Sequence, residues 1–303
     1  MSDMPSRKAA VKVELTLPVG DAAHSLATAI TDKHPESAVI LYGSGNSVLA
    51  GADPTDVLFD FYVIAPTYAE YYKSRGLGFL NWMIPPNVFY MELPTPAGLL
   101  RAKYAVLSIS HFEKLVSRKT FHSYFWARFA QPARIVRAPD ALRPRIEASI
   151  ATAIGTFVHR AAPLATDNSN KGARAIWHAG LSQSYKAELR AEPPERVDRL
   201  LNSYGDWMDR VTGSPTTTQS VGLSKMAWRL RSIQGAFLSI ARLLKATATF
   251  QGGVDYIVWK IERHSGISVP VRPWERRHPF FGAFSLGQRY YRMRAQAKKN
   301  NTA

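Results

Sequence analysis

A Gly-Ser pair after one apolar run and an aspartate inside the next are the residues best suited to phosphate chemistry. Gly43 and Ser44 follow the run 38–42, and Asp60 lies within the run 57–64. Glycine lets backbone N–H groups approach a phosphate closely, and the serine hydroxyl adds a donor. An aspartate on the adjacent strand can hold Mg²⁺ against the same phosphates. The spacing predicts a site for a triphosphate and a divalent ion, although a plain Gly-Ser turn beside a strand aspartate fits the motif equally well.

This hydrophobic–Gly–Ser…Asp layout resembles the nucleotidyltransferase fold of the polymerase-beta type. That superfamily carries two acidic residues separated by one position, and Leu58 stands where the first would be. Asp53 and Asp56 are close enough in sequence to substitute. The resemblance therefore implies a metal site at Asp60, with Asp56 as its candidate second carboxylate.

Five short blocks, in order across about residues 38–190, resemble the mitochondrial-type phosphatidate cytidylyltransferases. They are 42–45 (YGSG), 58–61 (LFDF), 103–108 (KYAVLS), 126–132 (WARFAQP) and 181–190 (LSQSYKAELR). Three positions depart from the family's blocks: Ala105 replaces a glycine, Gln131 a lysine and Glu188 an aspartate. One block alone is a weak signal, whereas five in register are fairly specific.

The resemblance implies Mg²⁺-dependent transfer of CMP from CTP to phosphatidate, giving CDP-diacylglycerol and pyrophosphate. It implies catalytic roles for Asp60, Glu188 and Lys103, with Asp60, Asp56 and Glu188 as metal ligands. The implied nucleotide-binding residues are Tyr42, Gly43, Ser44, Gly45 and Arg128. Tyr185 and Arg190 are the candidates for binding the lipid phosphate.

The elements around these residues indicate an α+β fold. Apolar, β-branched and aromatic runs predict strands at 38–42, 57–64, 87–93 and 102–108. Ser110 and Glu113 have the spacing of a capping box, which predicts a helix beginning after Ser110.

The character of the chain changes near residue 140. Helical periodicity dominates from there on. We therefore expect a nucleotidyltransferase domain with a mixed sheet at 1–140, a mostly helical domain at 141–267 and a basic, aromatic tail at 268–303.

The charge of the chain favours a polyanionic partner. Lys and Arg number 39 against 23 Asp and Glu, a formal net charge of +16, which attracts nucleic acid, anionic lipid or nucleoside triphosphates alike. The absence of cysteine excludes disulfides and thiolate metal sites. No segment reaches the ~18 consecutive apolar residues of a spanning helix. With the family resemblance, this predicts a cytoplasmic protein held at the inner face of the membrane, and nucleic acid is not the expected partner.

Two segments could meet a lipid surface. The basic helix predicted at 225–246 has an apolar stripe with steps of three and four, which we interpret as a core-packed face with solvated cations. The tail 268–303, where eight cations alternate with aromatic rings, is the stronger candidate for binding anionic membranes.

Two other functions remain open at this point. A nucleotidyltransferase that acts on RNA would also explain the charge. A non-enzymatic membrane or nucleic-acid adaptor with a degenerate nucleotidyltransferase domain would explain Leu58.

Overall fold

The computed structural model describes most of the chain. The described residues are 3–43, 53–165, 172–188, 195–213 and 220–249, followed by 254–255, 258, 261–262, 269–277, 282, 285–290 and 292–293. Three residues predicted to belong to the site, Ser44, Gly45 and Arg190, lie outside this part.

The described secondary structure includes five strands, a 3-10 turn at Pro54–Asp56 and twelve helices. The strands are Ala38–Tyr42 (β1), Leu58–Ala65 (β2), Asn87–Thr95 (β3), Gly98–Ser108 (β4) and Ala133–Arg137 (β5). The helices are Asp3–Leu15 (α1), Asp21–Thr31 (α2), Tyr68–Tyr71 (α3), Arg75–Met83 (α4), Ile109–Val116 (α5), Tyr124–Phe129 (α6), Arg143–Ala165 (α7), Ala173–Ala187 (α8), Glu195–Ser203 (α9), Trp207–Thr212 (α10), Val221–Thr249 (α11) and Pro273–Arg277 (α12).

The strands form one mixed sheet in the order β3-β4-β2-β1-β5. β2 and β4 run parallel, and the other neighbouring pairs are antiparallel. The four predicted strands are confirmed, β1 with the predicted ends, and the α+β class is confirmed with them. β5 was not predicted.

The start of α5 differs from the prediction. The helix begins at Ile109, so Ser110 lies inside it and the predicted capping box is wrong. β4 runs directly into this helix through Ser108, and both Ile109 and Phe112 are buried. Packing of these apolar side chains, rather than a capping side chain, therefore determines where the helix begins.

Alternation along the strands divides the interior into two cores. In β1, Ala38 and Ile40 face the larger core, whereas Val39 and Leu41 face a smaller one that also contains α2 residues. The larger core combines sheet residues with buried side chains of α7 and α8, such as Phe157. The sheet and the helices on either side of the predicted boundary at residue 140 therefore share one core.

The interpretation of α11 as a core-packed apolar stripe with solvated cations is wrong. Ile233 and Phe237, in the middle of that stripe, are exposed, whereas Arg231 and Lys245 are buried. Contact on the other side of the helix is close: a Cβ added at Gly235 would lie 2.3 Å from the carbonyl oxygen of Ala187. The face of α11 that carries Gly235 packs against α8, because a residue without a side chain allows this close approach.

Two cations of the predicted basic tail take part in ion pairs. Glu275 is buried in α12, where it accepts a hydrogen bond from the Arg272 N–H at 2.7 Å and pairs with Arg289. Arg276 pairs with Asp255 at 2.9 Å. Most of the tail lies outside the described residues. Across the described part of the chain, no helix combines the length and apolar character needed to cross a membrane.

Candidate functional site

Three predicted site residues occupy one row across the centre of the sheet. Tyr42 in β1 pairs in register with Asp60 in β2, and Asp60 pairs with Lys103 in β4. Residues in register on neighbouring strands project from the same face. This is the face of the larger core, because Tyr62 and Ala105, two positions farther along their strands, belong to it. The sheet therefore sets a phenol, a carboxylate and an ammonium side by side.

Asp60 and Lys103 form a partly exposed ion pair. Lys103 Nζ lies 2.9 Å from Asp60 Oδ1, and the two side chains are 22% and 31% exposed for Asp60 and Lys103, respectively. Ion pairs this open to water add little to stability, about 0–1 kcal/mol. Both groups can therefore exchange part of this contact for a ligand at low cost.

The chain turns directly beside this carboxylate. Gly43 has φ of 74°, in the left-handed region that favours glycine, and a Cβ added there would lie 3.8 Å from Asp60 Oδ2. A side chain would cost about 1–2 kcal/mol of backbone strain at this position. The predicted phosphate-binding turn therefore begins against Asp60, although its continuation, Ser44 and Gly45, is outside the described residues.

Arg128, in the last turn of α6, joins the sheet to α8. Its Nη2 donates to Glu188 Oε2 at 3.1 Å and its Nη1 donates to the Tyr42 hydroxyl at 3.4 Å. The guanidinium also lies 4.5 Å from the centroid of the Tyr124 ring. Only 13% of the Arg128 side chain is exposed. Its partners therefore fix the position of this cation at the floor of the site.

Tyr42 is a neutral hydrogen-bonding group in this arrangement. Burial raises the pKa of Tyr42 to about 12, and the negative charge of Asp60 adds to the rise. A phenol with this pKa stays protonated near neutral pH, so Tyr42 can orient Arg128 or a ligand but cannot act as a base there.

The predicted metal ligands do not come together as one cluster. Glu188 caps the C-terminus of α8, where its N–H donates to the Ser184 carbonyl at 3.2 Å, and its carboxylate is engaged by Arg128. Asp56 is exposed in its 3-10 turn and is not among the described residues that line the cleft. Within the described ranges, no group of three or more His, Cys, Asp and Glu side chains could hold a metal ion.

Asp60 alone nevertheless fits a Mg²⁺ ion that is shared with substrate. Mg²⁺ commonly binds proteins through one or two carboxylates, with water and phosphate oxygens completing its octahedron. Asp60 is partly exposed, faces the cleft and lies next to the Gly43 turn. Glu188 is better suited to orienting Arg128 than to binding the ion directly.

These residues open into a cleft of about 900 Å³. The cleft is lined by seven of the predicted residues: Tyr42, Gly43, Asp60, Lys103, Arg128, Tyr185 and Glu188. Six cations and three carboxylates line it among the described residues. An excess of cations inside a concave site attracts an anionic ligand such as a triphosphate.

Comparison with protein-family models and with curated proteins found no match.

Four arginines of the cleft were missed by the sequence analysis. Arg134 and Arg210 converge on one carboxylate, Glu14 of α1, and the Arg210 Nη2–Glu14 Oε2 distance is 3.2 Å. Arg196 and Arg199 lie three residues apart on α9, so they share a helix face at the rim. The three-residue spacing of Arg196 and Arg199 could have been recognised in the sequence. The convergence on Glu14 could not, because it joins residues almost 200 positions apart.

Proposed function

We propose that this chain is a nucleotidyltransferase of the polymerase-beta type that transfers CMP from CTP to phosphatidate, as a member of the mitochondrial-type phosphatidate cytidylyltransferases. The observation that carries the proposal is the row Tyr42–Asp60–Lys103 beside the Gly43 turn, at the floor of a cation-rich cleft. All five blocks that resemble this family supply residues that line this cleft. The preference for cytosine rests on the family resemblance.

The reaction needs positioning and charge stabilisation more than covalent help from the protein. A phosphate oxygen of phosphatidate attacks the α-phosphorus of CTP, the bond from that phosphorus to the bridging oxygen breaks, and pyrophosphate leaves with the bonding electron pair. The phosphatidate phosphate is already largely anionic near neutral pH. The attack therefore needs no strong general base, which agrees with the high pKa of Tyr42.

Lys103 and Arg128 are the groups that offset charge on the leaving pyrophosphate. Arg128 is held in place by Glu188 and Tyr42 before a ligand arrives, so it loses little freedom when it binds phosphate. Lys103 can turn from Asp60 towards a phosphate oxygen because the pair is partly exposed. Asp60 would hold Mg²⁺, which when bound neutralises negative charge on the phosphates.

Arg196 and Arg199 at the rim are the proposed contacts for the acceptor. Both project from α9 into the same cleft as Tyr185. A lipid phosphate has to enter from the open side of the cleft, and arginine forms bidentate hydrogen bonds with phosphate. We therefore assign the phosphate of phosphatidate to this rim, alongside Tyr185.

The test is acceptor-dependent release of pyrophosphate from CTP in the presence of Mg²⁺. Phosphatidate, RNA and no lipid or RNA acceptor are compared, with Asp60→Asn measured in parallel. Release that requires phosphatidate and is lost in the variant supports the proposal. Release that requires RNA indicates an RNA nucleotidyltransferase, and no release with either acceptor indicates an adaptor.

A further inference from the structure

The longest helix of the structure turns its apolar side to solvent. Six side chains at steps of three and four along α11 are 51–72% exposed: Leu223, Met226, Leu230, Ile233, Phe237 and Ile240. This spacing places them in one stripe on the helix, which we call the outer face. A contiguous apolar stripe of this length on a folded surface marks a binding site. We propose that the outer face docks onto an anionic lipid bilayer.

Exposed apolar side chains also occur on α4, which precedes a segment that α11 contacts. Phe79, Trp82 and Met83 of α4 are 49–57% exposed. α11 is tied to the chain just after them, because Arg242 Nε donates to the Pro85 carbonyl at 2.8 Å and Lys245 Nζ donates to the Pro86 carbonyl at 2.7 Å.

Beside the middle of the stripe, the exposed ring of Phe121 lies against Arg231 of α11. Arg231 Nε donates to the Phe121 carbonyl at 2.9 Å. Exposed aromatic side chains, including a tryptophan, therefore occur on segments that α11 contacts at its middle and towards its C-terminal end. Tryptophan favours the headgroup region of a bilayer.

The charge around this surface is complementary to an anionic leaflet. The segments 75–83, 117–131 and 221–249 contain no aspartate or glutamate. They carry exposed cations at Arg75, Arg118, Lys119, Lys225 and Arg229. Apolar side chains flanked by cations, without acidic residues, are typical of helices that lie in the plane of an anionic membrane. This combination favours a bilayer over a second copy of the chain, since two such surfaces repel each other.

The inner side of the same helix contacts the end of α8, where Glu188 lines the cleft. Ser239 Oγ donates to the Glu188 carbonyl at 3.4 Å, and Gly235 approaches the Ala187 carbonyl. A bilayer on the outer face would therefore lie about one helix diameter, ~10 Å, from the end of α8 that carries Glu188. If the proposed function holds, docking through this face brings the cleft next to its lipid substrate. The docking itself does not require the reaction.

Vesicle co-sedimentation tests the proposal on the full chain. Wild type, Ile233→Gln/Phe237→Gln and the control Met4→Gln/Val13→Gln, which changes exposed apolar residues of α1, are mixed with vesicles of phosphatidylcholine with and without phosphatidylglycerol. Wild type and control should sediment with the phosphatidylglycerol vesicles. The α11 variant should bind at least roughly tenfold more weakly, because two large apolar side chains no longer leave water. Thermal denaturation should show the same midpoint for all three proteins, since the changed residues are exposed.

Absence of wild-type sedimentation, or equal sedimentation of the α11 variant, would overturn the docking proposal. Light scattering tests whether a second copy of the chain binds the outer face instead. A wild-type dimer that becomes a monomer in the variant would make the outer face a self-interface and would also overturn the proposal. Pyrophosphate release is measured with a water-soluble, short-chain phosphatidate, which needs no bilayer. Sedimentation without this activity contradicts only the proposed function, whereas activity without sedimentation contradicts only the docking.

Discussion

Buried cations occur in two regions of this molecule, and they have different partners. In the cleft, Arg128 is held by the Glu188 carboxylate and the Tyr42 hydroxyl, next to an open volume. On the inner side of α11, Arg242 donates to a backbone carbonyl and Lys245 donates to Pro86 O and to Asn87 Oδ1 at 2.9 Å. Arg128 therefore lies beside a volume that a ligand could occupy, whereas Arg242 and Lys245 bind the segment 85–87 to α11.

The partners of a buried cation indicate whether it stabilises the fold or can bind a ligand. Backbone carbonyls cannot leave, so a cation that they surround contributes to the fold. A cation at a cleft, held by side chains that leave part of it accessible, is available to an anionic ligand. The comparison therefore predicts lost activity with a retained fold for changes in the cleft, and the reverse for changes on the inner side of α11.

The largest effect is expected for Asp60→Asn. Loss of the carboxylate removes the predicted metal ligand, and we expect a decrease in turnover of about a thousandfold or more. The free energy of unfolding should change by no more than about 1 kcal/mol, since the pair with Lys103 is partly exposed. Steady-state pyrophosphate release and urea denaturation measure the two quantities. Asp140→Asn, at an exposed carboxylate, is the control; a similar decrease there would contradict the assignment.

Arg128→Lys sharpens the cleft side of the comparison. Lysine keeps the charge but has no planar fork, so it cannot contact Glu188 and Tyr42 together as Arg128 does. We expect turnover to decrease about a hundredfold while the protein stays folded, as measured by the same assay and by circular dichroism. Activity close to that of wild type would show that charge alone suffices and that the Glu188 contact is not used.

Lys245→Met tests the α11 side. The substitution removes the Lys245 ammonium, which donates buried hydrogen bonds to Pro86 O and Asn87 Oδ1. Unsatisfied buried acceptors cost about 1–3 kcal/mol each, partly offset by removing a buried charge. We expect a loss of about 2–4 kcal/mol in unfolding free energy with turnover unchanged below the denaturation midpoint. Lys225→Met, at an exposed lysine of the same helix, controls for the change of residue type. A selective loss of activity in Lys245→Met would break the comparison.

The smallest effect concerns pH. Burial lowers the pKa of His122 to about 4, and the positive charge of Arg242 adds to the decrease. Because the unfolded chain binds this proton near pH 6.5, the stabilisation is complete above pH 6.5 and is lost as pH falls towards 4. Between pH 7 and 5 we expect a loss of about 2 kcal/mol in unfolding free energy from this group. In His122→Gln, denaturation curves should show a correspondingly shallower acid limb; an unchanged limb would mean that His122 takes up no proton.

Local patterns predicted the elements whose causes are local. The strands followed from β-branched and aromatic runs, and β5 was missed because two arginines interrupt the apolar run in ARIVR. The start of α5 was misplaced because the burial of Ile109 and Phe112, a property of the packed core, outweighed the capping pattern at Ser110.

The sequence by itself determined the strands that carry Tyr42, Asp60 and Lys103, because apolar, β-branched and aromatic runs are set by residue type and spacing. The order and register of those strands, which set the three residues side by side, were decided by the tertiary structure. Tertiary structure alone decided that Glu188 pairs with Arg128, and that Arg134 and Arg210 converge on Glu14. It also decided which side of α11 is buried. Periodicity defines two faces of a helix, but the choice between them depends on the shape of the surface that receives it, here the close approach of Gly235 to α8.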